Sequence, residues 1–164
     1  MDAKELLIDQ FTRIHELYAG LVADVDAETA NARPNGTGNS ITWLLWHLAR
    51  IEDDHLAGIT GDDQVWDEWR ERFDLPLEPD DHGYGHSSEQ VDSVRVEDPS
   101  LLAGYQEQVH QAVLAYLDRV DADELDRVVD RRWDPPVTAG VRLVSVIGDC
   151  LQHLGQAAYV KGLG

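Results

Sequence analysis

The sequence predicts an all-α fold, a four-helix bundle with long loop crossings, on three observations. Four separate segments carry apolar residues at three- and four-residue steps, the spacing that places them on one stripe of a helix. No segment shows the period-two alternation or the β-branched clustering of a convincing strand. The 164 residues at 43% hydrophobic are enough for one domain, read here as residues 1–164, to bury about two-thirds of the surface that the unfolded chain exposes.

The first helix is expected from about Ala3 to Leu21, with Leu7, Phe11, Ile14, Tyr18 and Leu21 on its stripe. The second follows Asn39-Ser40, where the serine suits an N-cap, and carries Ile41, Leu44, Leu48, Ile51 and Ile59 to about Gly61. Asp98-Pro99 opens the third, as a cap followed by proline at the first helical position, and Leu102, Tyr105, Val109, Ala112 and Tyr116 continue it. The fourth comes after Pro135-Pro136 and Thr138 and carries Val144, Ile147, Leu151, Leu154 and Ala158 up to Gly162, with the last four apolar residues at the centre of the expected buried arc. The connections 22–38 and 118–138 are moderate in length. Residues 62–97 form a long acidic crossing, with Trp66-Asp67-Glu68-Trp69 as one or two helical turns and the run Gly83-Tyr84-Gly85-His86; such a segment covers a site or spans the bundle.

Charge and cysteine content narrow the function. The chain has 32 Asp and Glu against 13 Lys and Arg, a formal net charge of -19, which repels phosphate backbones and anionic lipid; no nucleic acid and no membrane are expected as partners. The single Cys150 excludes a disulfide framework and any multi-cysteine metal cluster, and it reads as a small core residue. No leader-like or membrane-spanning stretch is visible, so the expected location is the cytoplasm. There is no internal repeat, Gly-rich phosphate loop or nucleophile elbow.

Seven histidines direct attention to metal chemistry. Asp149 and His153 are four residues apart on the last helix, an offset of roughly 40° and about 6 Å, so both side chains can meet one cation. The same spacing also suits a plain Asp–His hydrogen bond on a partly solvated face. On the second helix the candidates are His47 and His55. The wheel makes His55 the more central, whereas His47 is a polar residue within Trp43-Leu44-Leu45-Trp46-His47-Leu48 and calls for a partner. His15 and His110 read as surface or boundary residues, and His82 and His86 as surface loop residues, with His86 near the site if the loop folds over it. Trp43, Trp46 and Trp66 suit either a pocket wall or core, and Gln156 either a support for His153 or surface.

The runs Ile41-Thr42-Trp43-Leu44-Leu45-Trp46-His47-Leu48-Ala49-Arg50 and Asp149-Cys150-Leu151-Gln152-His153-Leu154-Gly155-Gln156 resemble the DinB-like four-helix bundle superfamily. Within it, Trp66–Trp69, Gly83–His86 and Arg132-Trp133-Asp134-Pro135-Pro136-Val137 are similar to the mycothiol S-transferase branch, formerly a domain of unknown function; the bundle is also similar to mycothiol-dependent maleylpyruvate isomerases. The resemblance implies a divalent metal, zinc first and nickel second, on His47, Asp149 and His153, with no catalytic residue beyond these ligands. Many relatives carry histidine where this chain has Asp149, and the isomerases carry a carboxylate there. The implied activity is transfer of mycothiol or a related low-molecular-weight thiol to an electrophile, as in detoxification, with isomerisation or hydrolysis on the same metal, or a non-catalytic small-molecule-binding bundle, as alternatives. Related bundles are often dimers, so a homodimer is compatible with the resemblance.

Overall fold

The computed structural model describes residues 1–163. Four long helices form its frame: α1 (Ala3–Ala23), α3 (Ile41–Thr60), α6 (Ser100–Asp118) and α8 (Ala139–Gly162). Short helices occupy the connections: α2 (Ala27–Asn31), α4 (Trp66–Phe73), α5 (Ser88–Ser93) and α7 (Ala122–Asp126). Side chains that satisfy otherwise unpaired amides set the long helices' starts. Asp2 and Glu5 form a capping box on α1, Ser40 accepts from the Trp43 amide on α3, and Thr138 accepts from the Val141 amide on α8. Gly61, at φ 80°, takes the left-handed conformation that ends α3. For α6 the boundary falls one residue later than expected: Asp98 accepts from the Ser100 amide, and Pro99 precedes the first helical residue.

Around the bundle α3 packs against α8, α8 against α1, α1 against α6, and α6 against α3. Side-chain pairings set the directions. His15 meets Gln106 while Lys4 reaches the Asp118 carbonyl, so α1 and α6 are antiparallel. Cys150 approaches the Leu48 carbonyl while Arg142 shares a cavity with His55, so α3 and α8 are antiparallel too. Pairing of Glu52 with Gln106, and of Thr60 with Tyr116 across a shared cavity, makes α3 and α6 parallel. Two parallel neighbours cannot be joined by a tight turn. The chain must return along the whole of α3, which spans about 30 Å, and this is the physical reason for the long 62–97 crossing.

The core is one cluster centred on fully buried Trp46, Tyr18, Tyr105, Phe11, Ile14 and Leu44. Each such side chain contributes roughly 1.5–3 kcal/mol by leaving water. On α8 the buried arc is Leu143, Val146, Cys150, Leu154 and Ala157, about one residue rotated from the expected one. Val144 and Leu151 of the apolar pattern are exposed, at 64% and 39%. The turn brings Asp149 and His153 onto the flank that faces α3. The structure also corrects the expectation of no strands, since Val128–Asp130 (β1) and Val137–Thr138 (β2) pair as an antiparallel ribbon.

A buried polar joint locks the crossing segment to α3. Arg50 is fully buried and donates through Nε to the Asp81 carbonyl at 3.2 Å and through Nη1 to Gln64 at 2.6 Å, with the Trp66 ring 4.9 Å from its guanidinium. One turn later, Asp53 accepts from the Val65 and Trp66 amides and from the Tyr105 hydroxyl. The start of α4 and the segment around Asp81 are thereby both tied to the helix that carries His47. Among the described residues no helix is long and apolar enough to cross a membrane.

Candidate metal centre

His47 from α3 and Asp149 and His153 from α8 each offer a ligand atom, and these atoms lie within 4.8 Å of one another. The imidazoles of His47 and His153 have centroids 4.8 Å apart and stand nearly perpendicular. His153 Nε2 lies 3.6 Å from Asp149 Oδ1, too long for a hydrogen bond.

Tautomers follow from the partners of the other ring nitrogens. His47 Nδ1 pairs with the His82 backbone carbonyl, which can only accept; the proton therefore sits on Nδ1, and Nε2 keeps its lone pair for the centre. His153 Nδ1 pairs with Gln156 Oε1 at 3.0 Å, which orients that ring in the same sense. Burial holds the His47 imidazole below its ordinary pKa, outweighing the opposing bond to the His82 carbonyl, so the ring is neutral at neutral pH and ready to ligate.

A divalent cation fits this donor set. Three acceptors converge with no protein donor between them, and Asp149 Oδ2 is a buried carboxylate oxygen without a hydrogen-bond partner among the described residues. Two imidazoles and one carboxylate are also the ligand types that a catalytic zinc site uses when it keeps a position open.

The crossing segment supports the centre from one side. Trp43 stacks on His47 with centroids 4.7 Å apart and donates from Nε1 to His86 Nδ1 at 3.1 Å. His86 Nε2 in turn donates to Asp81 at 2.9 Å, and Asp81 accepts from the Gly83 amide at 2.8 Å. Gly83 is required here: its φ is 92°, and a Cβ at this position would lie 2.9 Å from His47 Nδ1.

Several single-residue expectations change. His47 is the buried candidate at 5% exposure, and His55 is the half-buried one, because the segment at 81–86 covers α3 at His47. His110 is buried and stacks on His15 with centroids 4.4 Å apart, so it is no surface residue. His86 is buried against Trp46 and Trp43 and belongs to the support of the centre. Trp46 and Trp66 are core, whereas Trp43 packs on the site, and Gln156 does support His153. The supporting roles of Asp81 and of the His82 carbonyl had no sequence signal, since a backbone oxygen is invisible in residue type. Cys150 is fully buried with burial pushing its thiol pKa up, as its core reading expects. Among the acidic residues Glu52, Asp53 and Asp130 are buried, whereas Asp149 is partly exposed with its Oδ2 enclosed.

The arrangement is thus a helical bundle with a three-residue site compatible with a divalent cation on its α3–α8 flank. The chain belongs to the DinB superfamily, whose family model matches residues 10–157. It is also similar to the crystal structure of a conserved protein from Enterococcus faecalis, at 34% identity and a TM-score of 0.90, covering 98% of this chain and 96% of that one. A search of curated proteins finds no match.

Proposed function

We propose that this protein is a divalent-metal-dependent thiol S-transferase of the cytoplasm, holding zinc or nickel on His47, Asp149 and His153 and conjugating mycothiol or a related low-molecular-weight thiol to small electrophiles. The observation that carries the reading is that His47, Asp149 and His153 each present a ligand atom within 4.8 Å of the others, with Asp149 Oδ2 buried and unpartnered among the described residues. The likeness of the sequence runs around His47 and Asp149–Gln156 to the mycothiol S-transferase branch supports the choice of reaction.

A dication bound there supplies a pKa depression large enough to make a thiol a thiolate at neutral pH. The chain's own residues prepare that chemistry. The donor set brings one negative charge, from Asp149, so a positive balance remains toward an anionic sulfur. The His82 carbonyl and Gln156 hold the two imidazoles in the ligating tautomer. Trp43 covers the face of His47, with ring centroids 4.7 Å apart, and meets His153 at a near-perpendicular edge contact with centroids 6.1 Å apart, which keeps water from that side.

The test is thiol consumption against monobromobimane by protein supplied with zinc or nickel. The reading expects wild type to exceed His153→Ala by at least a hundredfold. Equal rates in the two proteins overturn it.

A further inference from the structure

At the end of the bundle where α3 finishes and α8 begins, a cavity of about 500 Å³ lies between Asp54, His55 and Gln64 on one side and Asp130, Arg131 and Arg142 on the other, with Arg132 at its edge. Its volume is in the range of small-ligand sites. Its charge is unusual for this chain: three of only 13 basic residues line it, in a protein of net charge -19. Counted against the carboxylates of Asp54 and Asp130, the three guanidiniums leave one positive charge on the lining.

The guanidiniums are held in place without being used up. Asp130, 7% exposed, accepts from Arg132 Nε at 3.0 Å and Nη2 at 2.8 Å, and from Arg142 Nη2 at 2.9 Å. Those contacts keep the Asp130 carboxyl well below the usual carboxylate range, so it stays ionised as the anchor. Nε and Nη1 of Arg142 and the whole of Arg131 have no hydrogen-bond partner among the described residues. Planar guanidiniums with free edges match carboxylate and phosphate oxygens.

The cavity lies on the same α3–α8 flank as the candidate metal centre. Arg142 and Asp149 are seven residues apart on α8, nearly the same rotational position and about 10 Å along the axis. His55 and His47 are eight apart on antiparallel α3, about 12 Å. His55 lines the cavity with Asp54 3.5 Å away, and burial first, then the charge of Arg142, hold its imidazole below its ordinary pKa against the opposing charge of Asp54.

We infer that this cavity binds an anionic group, a carboxylate or phosphate, on the tail of the electrophile whose reacting end sits about 10 Å away among His47, Asp149 and His153. The inference rests on the proposed function for what happens at the far end, but the anion site itself does not need it. A long substrate with an acidic tail is held at both ends, so the free-edged arginines select it over an uncharged analogue.

Calorimetric titration of inorganic phosphate and of succinate tests the site directly, and the tighter of the two names the group. Wild type is expected to bind at least tenfold more tightly than Arg142→Gln, with His153→Ala matching wild type. Arg131 is exposed and unpaired among the described residues, so Arg131→Gln gives the same reading should Arg142→Gln fail to fold. Equal binding by wild type and the arginine variants overturns the inference. So does loss of binding in His153→Ala alone, which would put the anion on the metal. In turnover with N-acetylcysteamine as the thiol, Arg131→Gln is expected to raise KM about tenfold for 6-maleimidohexanoate, with kcat unchanged, and to leave N-hexylmaleimide unaffected; a KM shift equal for the charged and the neutral electrophile overturns the tail assignment. Anion binding that depends on the arginines in a protein without thiol activity upholds the site and sinks the transferase reading instead.

Discussion

Asp53, buried on α3, and Asp149, partly exposed on α8 with one oxygen enclosed, are two carboxylates treated in opposite ways. Asp53 receives three donors, from the Val65 and Trp66 amides and the Tyr105 hydroxyl, and sits 3.8 Å from the Arg50 guanidinium. Burial pushes its pKa up, and these contacts pull it back. Asp149 receives no donor: one oxygen is buried and unpartnered, and the other faces His153 Nε2 at 3.6 Å. A buried carboxylate whose oxygens are satisfied by the protein is part of the scaffold. One whose neighbours are themselves acceptors is incomplete without a cation. That contrast separates structure from site more sharply than residue type or burial does, since Asp53 is the more buried of the two.

Removing each carboxylate in turn breaks the comparison most widely. Asp149→Ala is expected to abolish stoichiometric metal binding by elemental analysis while leaving the unfolding midpoint of the metal-free protein nearly unchanged. Asp53→Ala is expected to do the reverse, retaining metal and losing about 3–5 kcal/mol, because the Arg50 charge is left buried without its partner. Urea unfolding measures the second effect, and metal loss without destabilisation in Asp53→Ala would reverse the assignments.

Another buried acid, Glu52, sharpens the contrast from another direction. Burial raises its pKa from 4.5 to about 8, and Oε1 has no partner among the described residues, although Gln106 lies 3.4 Å from Oε2. The folded state therefore holds a proton that the unfolded chain releases between these values. The contribution of Glu52 to stability is fully present below pH 4.5 and is lost as pH rises toward 8. Glu52→Gln removes that loss, so the variant should equal wild type near pH 4.5 and exceed it by on the order of 3 kcal/mol at pH 7. Urea midpoints at the two pH values check the sign, and an advantage that shrinks with rising pH contradicts it.

Smaller effects come from the residues that orient the ligands. Gly83→Ala forces a Cβ against His47 at a φ of 92°, at a cost of about 1–3 kcal/mol, and shifts the segment that presents the His82 carbonyl. Thermal unfolding reads the cost, and metal titration should show weaker binding as well. Gln156→Ala frees His153 Nδ1 and should weaken metal affinity about tenfold with no change in unfolding midpoint.

Much of the bundle was visible in the residue pattern, because four long amphipathic helices with Ser40 and Thr138 caps leave a period that needs no tertiary knowledge. The rotation of the α8 arc was not visible. Val144 and Leu151 are as apolar as the residues that are buried, and a helix wheel cannot tell which of two adjacent apolar stripes meets a neighbour. Choosing between His47 and His55 failed on the wheel for a related reason: burial of His47 comes from a segment more than 30 residues away in sequence, which no local period encodes. The ribbon at 128–130 and 137–138 is too short to alternate. At the site, Asp149 and His153 were readable as an i, i+4 pair on one helix. His47 was reached through family resemblance, and the loop groups that hold it were not reached at all.

The central claim is that His47, Asp149 and His153 form one metal site. X-ray absorption spectroscopy at the metal edge of zinc-loaded protein tests it most directly. The account predicts about one zinc per chain with two imidazole nitrogens near 2.0–2.1 Å and a carboxylate oxygen near 2.0–2.2 Å, and the loss of one imidazole shell in His153→Ala. Zinc that shows only oxygen scatterers, or no zinc retained after loading, would contradict it.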